Sequence, residues 1–142
     1  MRLAVIDGQS AGLGCAVIRE IRRTCGNEIE IWALGANDVA TSQMMKAGAN
    51  RGATGERPIC DAVRQVDIII GSLAILVSNA MMGEITPSMA VATGYSRALK
   101  LLLPLLEGPV SVVGAVISPL PHLLGMLISE HLAAVLNVER RG

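Results

Sequence analysis

Aromatic residues are almost missing from the sequence, which contains one Trp, one Tyr and no Phe among 142 residues. Its twelve basic and twelve acidic side chains give no net charge at pH 7. Proteins that bind DNA or RNA combine a basic surface with aromatic side chains on which bases stack. Because the sequence offers neither, we expect no nucleic-acid partner.

Cysteine and histidine are also scarce. Cys15, Cys25 and Cys60 are odd in number and contain no Cys-x-x-Cys pair, and there are two histidines. This spacing predicts no disulfide framework and no metal site, and it favours a reducing cytoplasm. Two interpretations stay open for each of two residues. We interpret Cys15 either as an activated thiol or as a small packing residue, and His122 either as a general base or as a structural residue.

The sequence contains no pattern typical of a signal peptide or a membrane span. The most apolar run, residues 66–82, has Asp67 in its first turn and polar residues at Ser72 and Asn79. A transmembrane helix needs about 20 mostly apolar residues. We therefore interpret this run as a buried strand followed by a buried turn or helix, and we expect no membrane partner.

The hydrophobic residues, 51% of the chain, are almost entirely aliphatic. A chain of this length forms the core of one domain, spanning residues 1–142, and aliphatic runs suit the buried strands of a parallel sheet. The predicted strands are residues 3–7, 28–34, 49–54, 67–70 and 100–103, with another strand candidate at 110–116 whose pairing stays open. The predicted helices are residues 11–25, 38–46, 58–65, 86–98 and 122–138, with a possible helix at 73–82.

Strands separated by helices of this length need crossover connections and therefore form a parallel sheet that is covered on both faces. The predicted fold is a three-layer, Rossmann-like α/β domain with strand order 3-2-1-4-5. The last predicted helix is apolar on nearly all sides, and such a helix needs a second partner. We therefore expect a homo-oligomer, with this helix or residues 73–82 in the interface.

A glycine-rich turn joins the first predicted strand to the first helix. Gly8, Gly12 and Gly14 have the spacing G-x-x-x-G-x-G, which allows phosphates to approach the amides that open the helix. This turn alone resembles that of short-chain dehydrogenases/reductases, and the resemblance implies NAD(P) or another nucleotide as ligand. The alternative is that the glycines only allow the helix to pack closely on the strand.

Three features depart from those dehydrogenases. Asp7 directly precedes the turn, where its carboxylate repels a pyrophosphate unless an amine, a metal ion or a ribose hydroxyl lies between them. The acid expected at the end of the second strand is missing, and either Asn37 or Asp38 caps the following helix. Tyr95 and Lys100 are five residues apart rather than four, so we reject a catalytic Tyr-x-x-x-Lys pair and interpret Tyr95 as a surface or interface residue.

Two further loops are candidates for the same site. Arg51 and Thr54 lie beside glycines at the end of the third predicted strand, where they either contact an anion or form an ordinary polar loop in which Arg51 pairs with Glu56. Ser72 follows the fourth strand and either contacts a ligand or caps the next segment. The predicted ligand is a nucleotide or phosphorylated small molecule, with binding residues Asp7, Gly8, Gln9, Ser10, Gly12, Gly14, Arg51, Thr54, Gly71 and Ser72.

Segments along the whole chain carry a second resemblance. They are VIDGQ at 5–9, ALG at 33–35, AGANRGATGE at 47–56, DIIIG at 67–71, GEITP at 83–87 and PLPH at 119–122. In this order they resemble a bacterial family described as domain of unknown function 3842. The resemblance implies a short, stand-alone, Rossmann-like protein and carries over no catalytic residue.

The sequence leads to one functional hypothesis, the binding of a nucleotide or dinucleotide at the first glycine-rich turn, with no reaction assigned. A non-catalytic oligomeric or regulatory module whose glycines serve packing is the first alternative. An enzyme acting on a small phosphorylated or carboxylated metabolite is the second.

Overall fold

Five parallel strands form one sheet in the computed structural model, which describes residues 1–106, 108–115 and 118–141. The strands are β1 (Arg2–Asp7), β2 (Glu30–Gly35), β3 (Arg51–Thr54), β4 (Ile68–Ser72) and β5 (Leu99–Leu103). Their order is β3-β2-β1-β4-β5, and every neighbouring pair is parallel. The predicted sheet order is therefore confirmed.

The connections between the strands are mostly helical. The helices are α1 (Gly12–Cys25), α2 (Asp38–Ala47), α3 (Glu56–Ala62), α4 (Pro87–Tyr95), α5 (Leu120–Met126) and α6 (Ala133–Arg141), with a 3₁₀ turn (Leu73–Leu76) after β4 and a π-helical segment (Leu127–Leu132) between α5 and α6. None of the helices in the described part of the chain has the length and apolar character needed to cross a membrane.

The helices cover both faces of the sheet because successive strand residues point to opposite faces. On one face, α1, α2 and the last helical residues pack against Leu3, Val5, Ile31, Ile68 and Ile70. On the other face, α3 and α4 pack against Ala4, Ile6, Trp32, Leu34 and Ile69. The result is the predicted three-layer α/β architecture.

The prediction of a strand at residues 110–116 is wrong for the described residues 110–115, which belong to no strand. Pro109 cannot donate a backbone hydrogen bond, and Gly114 has a φ of 89°, so both interrupt an extended ladder. Val113 is 99% exposed. A β-branched run is not enough for a strand when no neighbouring strand pairs with it.

The possible helix at residues 73–82 is limited to its first turn. Only Leu73–Leu76 is helical, as a 3₁₀ turn, and the following residues form non-helical turns. Asn79, Met81 and Met82 all have positive φ, between 56° and 68°. This left-handed conformation is incompatible with continuing a right-handed helix.

Asn37 rather than Asp38 caps α2, because its side-chain oxygen accepts a hydrogen bond from the Ala40 N–H at 2.8 Å. Replacing a capping Asn by Ala typically lowers stability by about 1 kcal/mol. We expect Asn37→Ala to lower the free energy of unfolding by at least that amount, measured by urea denaturation. Asp38→Ala is the matched control, and an equal loss in that variant would contradict the assignment.

Candidate functional site

The carboxyl ends of the parallel strands meet at one edge of the sheet. Asp7, Gly35, Thr54 and Ser72 are the last residues of β1, β2, β3 and β4. From β1 the chain continues into α1 on one face, whereas the segment after β4 leads to α4 on the other face. The strand order therefore changes direction between β1 and β4, and open α/β sheets bind ligands outside such a point.

A crevice of about 410 Å³ lies at this point. Its lining residues are Gln9, Leu13, Ser72, Ala74, Ala80, Met81, Leu105 and Leu106. The crevice has the size and the mixture of apolar walls and few polar groups that are typical of small-molecule sites. A larger concavity of about 590 Å³ beside Arg64 and Tyr95 contains no residue from the carboxyl ends of the strands.

The carboxylate of Asp7 occupies part of the glycine-rich turn. Its Oδ1 accepts from the Gly8 N–H at 2.8 Å, and its Oδ2 accepts from the Gly14 N–H at 2.7 Å. Asp7 is only 7% exposed. Burial raises the pKa of this carboxyl, the two backbone hydrogen bonds oppose that rise, and the nearby Glu84 adds to it.

A second carboxylate contacts the same turn from the 77–86 loop, which connects the 3₁₀ turn to α4. Oε1 of Glu84 accepts from the Gln9 N–H at 2.9 Å and from Nδ2 of Asn37 at 2.8 Å. The Asn37 amide also donates to the Gln9 carbonyl at 3.1 Å. Glu84 could not be predicted as a site residue from the sequence, because it lies 75 positions from Gln9 and no local spacing connects them.

The three glycines of the turn differ in their surroundings. A Cβ on Gly8 would lie 2.7 Å from Oε1 of Glu84, and one on Gly14 would lie 2.6 Å from Sδ of Met44. A Cβ on Gly12 would meet nothing within 4 Å. A side chain at Gly8 or Gly14 would therefore crowd neighbouring side chains, whereas Gly12 faces open space.

Part of the turn still offers hydrogen-bond donors. Ser10 and Gly12 are exposed, and within the described residues the N–H groups of Ser10, Gly12 and Leu13 have no acceptor. Amides at the start of a helix are natural partners for negatively charged or polar ligand atoms.

Two predicted site residues lie away from this turn. The Arg51 guanidinium lies over the Trp32 ring, 4.8 Å from its centroid, in a cation–π arrangement. Oγ1 of Thr54 donates to Oγ1 of Thr41 at 2.7 Å, at the end of β3. β2 separates β3 from β1, so this end is about 10 Å from the glycine-rich turn.

The alternative pairing of Arg51 with Glu56 is also not observed among the described contacts. Oε1 of Glu56 instead accepts from Oγ1 of Thr86 at 2.6 Å, and Thr86 caps α4. The structure therefore brings the loop that contains Glu56 to α4 rather than to the glycine-rich turn.

Ser72, at the end of β4, caps the next segment, whereas its contact with a ligand stays a prediction. Oγ of Ser72 accepts from the Ala74 N–H at 3.2 Å and caps the 3₁₀ turn, and Ser72 also lines the crevice. Its hydroxyl proton has no acceptor in the part of the chain that the structure describes. Gly71 is explained by packing, because a Cβ there would lie 3.0 Å from the Ile6 carbonyl oxygen.

The remaining candidates have structural or surface positions. Cys15 is buried, and burial raises the pKa of its thiol, so the packing interpretation holds. His122 is exposed in the first turn of α5. Tyr95 is 90% exposed at the end of α4, and Nζ of Lys100 donates to the Ser96 carbonyl at 2.6 Å. The cytoplasmic location that the cysteine count favours stays a prediction.

The fold and the crevice define a Rossmann-like parallel α/β protein with a concave surface at its switch point. The chain belongs to the family described as Domain of unknown function (DUF3842), whose model matches residues 2–136. The family resemblance expected from the sequence is therefore confirmed. No curated protein and no solved structure matches the chain.

Proposed function

We propose that this protein binds a nucleotide, such as NAD(P), or another ligand of nucleotide size in the crevice between β1 and β4. The observation that carries the proposal is the open 410 Å³ space at the switch point of the sheet. Gln9 and Ser72 provide polar contacts, and Leu13, Met81 and Leu105 provide an apolar wall for a ring system. This combination fixes the orientation of a ligand and buries its apolar surface.

The backbone around the crevice supports this proposal. Positive φ values at non-glycine residues occur at Gln9 and Ala11 in the glycine-rich turn and at Asn79, Met81 and Met82 in the 77–86 loop. Such conformations each cost about 1–3 kcal/mol and concentrate at ligand sites. Every such residue in the described chain belongs to the glycine-rich turn or to the 77–86 loop, and each of these segments contributes residues to the lining of the crevice.

A thermal-shift screen of NAD(P), ATP, GTP, flavins and S-adenosylmethionine tests the proposal. A ligand at a hundredfold excess over its dissociation constant stabilises the folded state by about 2.7 kcal/mol. We expect Leu105→Trp to remove most of that stabilisation, because the indole would fill the crevice. Val39→Trp is the matched control, since Val39 is exposed on α2 and does not line the crevice.

Two results would contradict this proposal. The first is the absence of stabilisation by every compound of the screen. The second is an equal stabilisation of the wild type and the Leu105→Trp variant, which would place the bound compound outside the crevice.

A non-catalytic oligomeric or regulatory module is the second candidate, and the packing of Gly8 and Gly14 favours it. We propose self-association through exposed apolar side chains. Val91 and Tyr95 lie one turn apart on α4 and are 70% and 90% exposed. In the last helical segment, from α5 to α6, Leu123 and Leu132 are buried inside the protein, so of these three residues only Ala134 is exposed for a contact with a second copy. Size-exclusion chromatography with light scattering at micromolar concentration tests this, and a monomer would contradict it.

A further inference from the structure

We infer that Glu84 excludes phosphate from the Gly8–Gln9 part of the glycine-rich turn, so that the ligand presents a neutral or cationic hydrogen-bond donor there. This inference rests on the proposed crevice site and specifies the chemistry of its ligand. It makes Glu84 a residue that determines specificity by charge.

The Glu84 carboxylate lies where a phosphate group would bind. Its Oε1 accepts from the Gln9 N–H at 2.9 Å and from the Asn37 amide at 2.8 Å. These two donors, one in the glycine-rich turn and one after β2, are groups that would otherwise bind the oxygen atoms of a phosphate. An oxygen of the protein already occupies the place that a phosphate oxygen would take.

The charge around the turn also disfavours a phosphate group. Asp7 accepts from the Gly8 and Gly14 amides, so two carboxylates face the same few backbone atoms. The ion pairs found within residues 1–106, 108–115 and 118–141 are Arg2–Glu30 and Arg23–Glu20, and neither involves these carboxylates. A pyrophosphate would therefore meet like charges without a compensating cation, whereas an amine or a hydroxyl would meet two acceptors.

The loop that carries Glu84 holds this carboxylate in place. The Glu84 N–H donates to the Met81 carbonyl and the Ile85 N–H donates to the Ala80 carbonyl, both at 3.1 Å. The side chain of Ile85 is buried in the core that α3 and α4 cover. These contacts fix the backbone on both sides of Glu84. The carboxylate can therefore leave the turn only if its hydrogen bonds with the Gln9 N–H and the Asn37 amide both break.

The test compares inorganic pyrophosphate and adenosine as probes, with binding measured by isothermal titration calorimetry. The proteins are the wild type, Glu84→Ala, Glu84→Gln and the control Glu130→Gln, an exposed acid outside the crevice. We expect Glu84→Ala to bind pyrophosphate at least about tenfold more tightly than the wild type, because it frees two donors and removes one negative charge. The Gln variant removes the charge and keeps the oxygen, so we expect a smaller gain in the same direction.

The outcomes separate the inference from the proposed function. Equal pyrophosphate affinity in the wild type and both Glu84 variants would overturn the inference, even if adenosine binds all four proteins. Weaker pyrophosphate binding in Glu84→Ala than in the wild type would also overturn it, because Glu84 would then not keep phosphate out of the turn. If pyrophosphate binds Glu84→Ala while adenosine binds no protein, the role of Glu84 stands and adenine-nucleoside binding in the crevice fails. The absence of binding by either probe to any variant would contradict both.

Discussion

Gly35→Ala is expected to lower the free energy of unfolding by about 3 kcal/mol, at the upper end of the range for overpacking a well-packed interior. A Cβ on Gly35 would lie 2.5 Å from the Thr41 backbone nitrogen and 2.8 Å from the Asn37 carbonyl oxygen. Both atoms belong to the backbone around the first turn of α2, so a change of side-chain rotamer cannot relieve the contact. Either β2 or α2 has to move.

Gly12→Ala is the matched control, because a Cβ on Gly12 would meet nothing within 4 Å. The added methyl group lowers the backbone entropy of the unfolded chain, so Gly12→Ala should be neutral or stabilising by up to about 1 kcal/mol. Urea denaturation of both variants measures the difference. A Gly35→Ala variant as stable as the wild type would show that this end of β2 is not tightly packed against α2.

The same pair of variants separates the two meanings of a glycine-rich sequence. If Gly12 serves a ligand, Gly12→Ala should leave stability intact and weaken ligand binding, because the methyl group would cover the open amides. If the glycines serve packing alone, Gly12→Ala should leave both the stability and the ligand binding of the wild type in place. Gly35 provides the packing reference in both cases.

The sheet could be predicted because its information is local. Each strand is a short aliphatic run, and each connection is long enough to cross over to a parallel neighbour, so right-handed crossovers restrict the possible orders. Parallel strands with helices between them then place Asp7 and Ser72 at one edge. The strand predicted at residues 110–116 was wrong for the described residues 110–115, because a β-branched composition says nothing about whether a partner strand is available.

The site was only partly predictable because its decisive contacts are distant in sequence. Gly8, Gly12 and Gly14 share one motif, yet the structure gives them different surroundings. The difference comes from Met44 and Glu84, which approach the turn from α2 and from the 77–86 loop. Those approaches depend on the tertiary fold, and no spacing within the motif encodes them.

Arg51 illustrates the same limit. Its glycine-flanked position is typical of an anion-binding loop, but the β2–β3 register places Arg51 opposite Trp32. The guanidinium then lies over the one Trp ring of the chain. A residue type and its neighbours predicted a possible ligand contact, whereas the register of two strands determined the actual partner.

Asp7→Ala is expected to lower the free energy of unfolding by about 3 kcal/mol, because it leaves buried N–H groups without an acceptor. The Asp7 carboxylate accepts from both Gly8 and Gly14, the second being in the first turn of α1. Asp7→Asn should lose less, since one amide oxygen still accepts one of these bonds. Glu20→Ala is the control, because it removes an exposed ion pair with Arg23, for which a loss under about 1 kcal/mol is expected.

The pH dependence of this effect has a defined sign. Burial raises the pKa of Asp7 in the folded chain above its ordinary value, so the folded state binds this proton more tightly than the unfolded state. Stability from this group therefore increases as the pH falls from neutrality towards about 4, and it decreases as the pH rises through the folded-state pKa. Asp7→Asn has no such titration.

The difference in free energy of unfolding between the wild type and Asp7→Asn should accordingly be larger near pH 5 than at pH 7. Urea denaturation at both pH values measures it, and the other carboxyl groups largely cancel because both proteins contain them. A difference that shrinks on acidification would mean that the amide hydrogen bonds from Gly8 and Gly14 outweigh burial. The Asp7 carboxylate would then be a stabilised anion filling the turn, rather than a strained one for which a cationic or hydroxyl-bearing ligand group provides a partner.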